Sequence, residues 1–424
     1  MVKEKRSKTD SVLEPYRDAI TRCVKCGSCR AVCPSFLHEE RESFSARGRM
    51  ALVKAVLDGK LAVSEIFKDR LATCTGCLAC EAACPSNVPV TEIIQAAKEQ
   101  AIRESGKGII NEAISQALKH PAALRATAWL APIALHYGKT KRSTFKVQSS
   151  KSGEQSPRYR AQNTRNKKNG TVVFFPGCAI EYFQPDIGAA VQRVLNALGY
   201  EVIIPEGLKC CGRPLLSLGD RAAAEELAAH NRDVLSAVKA DAIVTACASC
   251  GLTFKKEYPK LLRPAGASLV VLDIHEFLSD KLADTPLAPL YRSVTIHDPC
   301  HLGRGQGLAA VVRDVLCSVP GLELREMKNA DRCCGFGGVM RVTHQNLSDG
   351  IAAEKAQTII ATQADTVVTG CPGCRMQIAN ALTRAGSDAR VLHTVQVLEK
   401  ALQGCRMQDV KNTESCIMDH ASHY

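Results

Sequence analysis

The chain has 424 residues, 21 of them cysteine, and a formal net charge of +12. That length holds two or three domains with a sizeable core, and no run reaches the ~18–20 apolar residues that a spanning helix requires. The opening residues 1–10 are mostly charged and polar, so the thiols are read in a reducing, cytoplasmic setting, where they serve metals instead of disulfides.

In chain order, residues near 10–20 read as a helix, with Val12, Leu13, Tyr16 and Ile20 on one side, lidding the loop that follows. That loop runs from Cys23 to Pro34 and spells C-x2-C-x2-C-x3-C-P, and Cys74 to Pro85 repeats it. Zinc ribbons also use C-x2-C, but two full runs are the bacterial ferredoxin arrangement. In it, three close thiolates take one cluster and the fourth crosses to the other. Two [4Fe–4S] cubanes follow, one on Cys23, Cys26, Cys29 and Cys84, the other on Cys74, Cys77, Cys80 and Cys33.

Between the runs, Arg47 to Leu57 has helical spacing and stops at Asp58-Gly59. Arg47 and Arg49 there offset the negative charge of thiolate-bound clusters or simply start an exposed helix. Val90 to Arg103 and Ile109 to Leu118 are further helices, and an Ala-rich stretch carries the only tryptophan, Trp129. From Lys139 to Gly170 ten basic residues face one acid, Glu154, so much of the net charge is local. This reads as a linker, or as a dock for an acidic partner or anionic lipid, and nucleic acid is not the expected partner.

From Thr171 strands alternate with helices, the pattern of parallel α/β layering. Thr171–Phe175 leads to Cys178, Glu201–Ile204 to Cys210-Cys211-Gly212, and Ala242–Ala246 to Cys247 and Cys250. The order recurs with Val294–Ile296 before Cys300, Leu322–Leu324 before Cys333-Cys334-Gly335, and Thr366–Val368 before Cys371 and Cys374. Corresponding cysteines are 122 to 124 residues apart, which is an internal duplication and favours a pseudo-twofold pair. Each copy offers five cysteines just past strand carboxyl ends, where open α/β sheets place ligands. Five exceed the four that a cubane needs. One is therefore a structural or gating thiol, or adjacent thiolates such as Cys333 and Cys334 bridge irons in an opened, noncubane cluster.

His297, Asp298, His301 and Arg304 crowd Cys300 and suit hydrogen bonds that tune a cluster and close a loop. Gly303 to Gly307 is the nearest approach to a nucleotide loop, but it follows Cys300 and suits a cluster wrap. His275 and His393 read as helical, and Cys317 as a small buried hydrophobe.

The two C-C-G modules, the fused ferredoxin module, Arg47-Gly48-Arg49, and His120-Pro121-Ala122-Ala123-Leu124-Arg125 together resemble the glycolate oxidase iron–sulfur subunit family. That family is related to the heterodisulfide reductases. The resemblance implies an iron–sulfur electron-transfer subunit of an oxidoreductase acting on a 2-hydroxy acid, glycolate or lactate. Electrons would come from a flavin on a partner chain and leave to the quinone pool, with the protein in the cytoplasm or peripheral on the inner face of the cell membrane. All ten cysteines of the modules, Cys178, Cys210, Cys211, Cys247, Cys250, Cys300, Cys333, Cys334, Cys371 and Cys374, would then bind one or two further [4Fe–4S] clusters, cubane or noncubane. Because both modules keep five cysteines, the pattern also resembles the catalytic subunit of heterodisulfide reductases, with paired clusters that split a disulfide. No individual catalytic residue is assigned.

The expected fold is α+β and α/β: a helical two-cluster domain (1–105), a helical connector (106–138), the basic linker (139–170), two tandem CCG domains (171–285 and 290–404) and a tail (405–424).

Overall fold

The computed structural model describes residues 11–120, 123–124, 169–262 and 269–404. Most of the basic linker, Trp129, most of the His120–Arg125 stretch, the tail, Cys405 and Cys416 lie outside these residues. Among the described residues no helix is long and apolar enough to cross a membrane.

The first domain is helical and small, wrapped around two cysteine loops. A 3-10 turn (Glu14–Tyr16) and a short helix (Arg17–Thr21) carry Leu13 and Ile20 into a core shared with Met50, Val53, Phe67, Leu71, Ile93 and Ile94. The helix Ala46–Leu57 begins at Ser45, whose hydroxyl accepts from Gly48 N at 2.8 Å, an N-cap that satisfies one of the orphan amides of the first turn. The longer helix Val90–Ser105 buries one face on this core and extends toward the rest of the chain.

Two four-stranded parallel sheets follow. The first has β1 (Thr171–Phe174), β2 (Glu201–Ile203), β3 (Ala242–Thr245) and β4 (Val271–Asp273) in the order β2-β1-β3-β4. The second, β5 (Arg292–Ile296), β6 (Leu322–Leu324), β7 (Thr366–Thr369) and β8 (Arg390–His393), repeats it as β6-β5-β7-β8. Pairing registers repeat as well: Val172 lies opposite Ala242, and Val294 opposite Thr366. All-parallel sheets covered on both faces read as continuous apolar runs, and β1, with all four residues buried, fits that rule.

Several expectations are corrected. His393 is not helical; it ends strand β8, buried, with Nε2 3.0 Å from the Ala246 carbonyl. β4 and β8 escape the sequence reading because each passes directly into a helix with no turn between, so its residues merge with the helical pattern that follows. Cys317 is exposed rather than buried, because Val312, Val315 and Leu316 take the inner face of its helix. The Gly303–Gln306 segment is a short helix rather than a loop.

The domains share their cores. Val315, Val319, Val395 and Leu398 of the second module pack into the core of the first. Phe44 of the ferredoxin module packs with Met340, Leu347 and Ile351 of the second module, each such side chain contributing about 2 kcal/mol on burial. Lys98 reaches the Ser217 carbonyl at 2.8 Å, and Lys107 pairs with the buried Asp220 at 2.8 Å, tying the first domain to the first module.

Candidate metal centres

The first two cysteine sets form around loops that turn backbone and positive charge toward sulfur. One cavity is lined by Cys23, Cys26, Cys29 and Cys84 together with Cys80. Cys33 leaves its own run and shares its surroundings with Cys74, Cys77 and Cys80, which bear on one another electrostatically. Burial raises the Cys33 thiol pKa, and Arg49 opposes that shift.

The Arg-Gly-Arg stretch now has a physical account. Arg47 donates to the Lys25 carbonyl at 3.2 Å, in the first cysteine loop. Arg49, 1% exposed, donates to Arg70 O at 2.8 Å and Thr73 Oγ1 at 2.7 Å, with Nη1 3.9 Å from Cys33 Sγ. Arg49 is thus a buried cation facing thiolate, while Arg47 braces a loop from the surface. Replacing Arg49 with Met removes the cation and its charged hydrogen bonds. The expected cost is about 3 kcal/mol of stability, with the neighbouring cluster harder to reduce, as checked by denaturation and potentiometry of the iron-loaded protein.

In the modules each cysteine sits at a strand or helix end. Cys247 and Cys371 are N-cap residues of the helices starting at Ala248 and Pro372, so Cys250 and Cys374 fall in the first turn. Gly335, at φ +83°, turns the chain so that its own N–H points to Cys333 Sγ at 3.4 Å. Cys178 Sγ lies 3.6 Å from Cys210, and Cys334 Sγ 3.4 Å from Cys374.

Electrostatic influence links the remaining thiols. From Cys178 each thiol perturbs the next in the order Cys210, Cys211, Cys250, Cys247. Cys247 and Cys371 of the other module perturb each other, and the series runs on through Cys374, Cys334 and Cys333. Cys333 packs with Cys77 and Cys300, which brings the series to the ferredoxin module. Neither the Cys247–Cys371 nor the Cys77–Cys333 meeting carries a sequence signal, since each joins residues more than a hundred positions apart.

The thiol chemistry of this packing fits iron. The described cysteines are all free. Bonds from neighbouring thiols hold one sulfur of the first module and two of the second well below the ordinary thiol range: Cys210 and Cys250 act on Cys211, Cys333 and Cys374 on Cys334, and Cys247 and Cys374 on Cys371. Their neighbours Cys250 and Cys374 are pushed well above it by the same contacts and by burial. Buried touching thiols cannot all ionise unaided, and a cationic metal centre lets them do so.

His301 is a junction of three parts. Its Nδ1 lies 2.9 Å from Ser249 Oγ of the first module, and its Nε2 3.2 Å from Gly76 O of the ferredoxin loop. Arg304 donates to Cys77 O at 3.0 Å and pairs with Asp331. Asp298 is held by both Arg313 Nη atoms at 3.0 Å. These groups close loops, whereas His297 has no hydrogen-bond partner at either ring nitrogen among the described residues. Sequence reasoning missed Lys355, a buried cation on the helix Gln345–Ile360 whose pKa burial lowers to about 8; its place on the apolar stripe Leu347, Ile351, Ile359 at four-residue spacing was the available signal.

Comparison with known proteins agrees with this architecture. The model described as "4Fe-4S dicluster domain" matches residues 19–88, and that described as "Cysteine-rich domain", the CCG model, matches 172–255 and 294–379. A subunit of the fumarate reductase (CoM/CoB) of Methanothermobacter marburgensis is 31% identical over 395 residues, covering 92% of this chain and 74% of that protein. The glycolate oxidase iron–sulfur subunit of Escherichia coli is 28% identical, covering 91% and 95%. A subunit of the dihydromethanophenazine:CoB–CoM heterodisulfide reductase of Methanosarcina acetivorans is also 28% identical, covering 90% and 93%.

Proposed function

We propose, since this chain belongs to the glycolate oxidase iron–sulfur subunit family of ferredoxin–CCG oxidoreductase subunits, that it relays electrons from the flavin of a partner subunit oxidising a 2-hydroxy acid, glycolate or lactate, to the quinone pool. The observation that carries this reading is the placing of both cysteine quintets in one electrostatically linked series that reaches the ferredoxin module where Cys333 packs with Cys77. Bound iron–sulfur clusters would supply one-electron carriers along that line.

The residues assigned to them are Cys23, Cys26, Cys29 and Cys84 for one cubane, Cys33, Cys74, Cys77 and Cys80 for the other, and the two quintets for one or two more centres. Around these sulfurs the chain excludes water, offers backbone N–H groups and sets charge through Arg49, Arg304 and Lys355. Cys26 alone among the motif cysteines is exposed, beside exposed Lys25 and Val24, which makes that loop the face for exchange with the partner. Taking a hydride from a hydroxy acid needs a two-electron acceptor such as flavin, which this reading puts on the partner chain.

One observation favours a second reading. Cys247 and Cys371 perturb each other across the pseudo-twofold, so the quintets lie side by side, an arrangement suited to splitting a disulfide with two electrons and two protons. The complex captured anaerobically through a tag on this chain separates the two. Stoichiometric flavin with hydroxy-acid oxidation supports the relay; a flavin-free, iron-loaded protein that turns over disulfide supports the second.

A further inference from the structure

The two modules are copies in backbone but not in charge. Phe175 and His297 occupy the same place, each three residues before the first cysteine of its quintet. Each donates its backbone N–H to the adjacent strand, Phe175 to Val244 O at 2.8 Å and His297 to Val368 O at 2.9 Å. Phe175 meets Phe254 edge-on, with ring centroids 4.8 Å apart, and gives its module an apolar wall. His297 is 0% exposed, and neither ring nitrogen has a hydrogen-bond partner among the described residues. A ring nitrogen lies within 4.8 Å of both the Cys334 and the Cys374 sulfur, a grouping able to hold a metal ion. A buried polar group left unpaired costs about 1–3 kcal/mol, so the imidazole is oriented toward something that those sulfurs hold.

A second pair of equivalent positions differs in the same sense. Asn231 and Lys355 lie 124 residues apart, the offset of the C-x2-C pairs. Each braces the turn ahead of the paired cysteines: Asn231 donates to Lys209 O and Cys210 O, and Lys355 to Asn329 O at 2.7 Å and Ala330 O at 3.4 Å. Lys355 is 1% exposed and has no carboxylate within ion-pair distance among the described residues. Other nearby charges are compensated: Asp298 by Arg313, Asp331 by Arg304, and Arg213 of the first module by Glu257 at 3.0 Å. A buried cation without a counter-ion is costly unless an anion lies close. The anion available to Lys355 is the thiolate group of Cys333 and Cys334.

We propose that His297 sets a ring nitrogen against an iron–sulfur centre in the second module and that, with Lys355 behind it, it makes this centre easier to reduce than its twin in the first. This rests on the reading that both quintets hold iron. Reduction adds one electron and so one negative charge. A buried cation and a nitrogen donor stabilise that charge, and Phe175 and Asn231 do not. The electron then pools beside Cys77, where the ferredoxin module joins.

The test uses the full iron-loaded chain, titrated anaerobically by potential and followed by EPR, with histidine labelled in 15N for pulsed measurements. One centre should show histidine-nitrogen coupling that His297→Phe abolishes. Lys355→Asn should make the same centre at least tenfold harder to reduce, which for one electron is 59 mV, with the other midpoints unmoved. Lys355→Met serves where Asn costs iron. Coupling absent from the wild type, coupling that survives His297→Phe, or midpoints unchanged in both Lys355 variants at full iron content would overturn the proposal. Wild-type iron confined to the two ferredoxin-type clusters would instead defeat the underlying reading.

Discussion

Replacing Cys77 with serine is expected to cut electron delivery to quinone or dye at least about 100-fold, more than the 10–100-fold typical of losing a group that only supports a metal ligand. Reduction of the partner's flavin by its hydroxy acid should continue. Two features set this outcome. Cys77 belongs to the second ferredoxin run, and it packs with Cys333, with Cys300 against the same apolar cluster, where the ferredoxin and CCG parts join. A hydroxyl is a harder and poorer ligand than thiolate. The same change therefore weakens one cluster and opens the line at its narrowest place. Stopped-flow absorbance separates the two half-reactions. Loss of flavin reduction itself would count against the assignment, because that chemistry is expected on the other chain.

Gly48→Ala is expected to destabilise the ferredoxin module by about 3 kcal/mol, the upper end for overpacking a fixed site. A Cβ there would stand 1.9 Å from Glu42 O and 2.7 Å from Glu42 C, both backbone atoms that cannot rotate away. Relief requires shifting the 3-10 turn Glu42–Phe44. That turn presents the Phe44 carbonyl to Cys33 Sγ at 3.6 Å and the Phe44 ring to Met340, Leu347 and Ile351. The substitution should therefore lower the unfolding midpoint and release iron together. Ala51→Gly, on the exposed side of the same helix, should cost only about 1 kcal/mol and keep iron.

Local signals carried much of this architecture in the sequence. The two cysteine runs and the apolar strands at Thr171, Val294 and Thr366 are short-range patterns, the repeat of the modules at 122 to 124 residues is a plain self-similarity, and the α/β layering followed from them. The edge strands β4 and β8 were invisible because each passes directly into a helix with no turn between, and His393 was misread for the same reason. Arg49 was legible only as a positive charge near cysteines. Its buried bonds to Arg70 O and Thr73 depend on a helix that arrives from elsewhere in the chain. The inequivalence of Phe175 and His297 could be read from the duplication, yet only the fold reveals that the imidazole is unpartnered beside Cys334 and Cys374.

Rapid-freeze EPR of the anaerobic complex purified through this chain, mixed with its 2-hydroxy acid, tests the relay most directly. The expected result is flavin reduction followed within one turnover by reduced iron–sulfur signals, those of the ferredoxin and second modules broadened by mutual coupling because Cys77 lies on Cys333. Flavin that reduces while the iron–sulfur signals stay silent through turnover would contradict it.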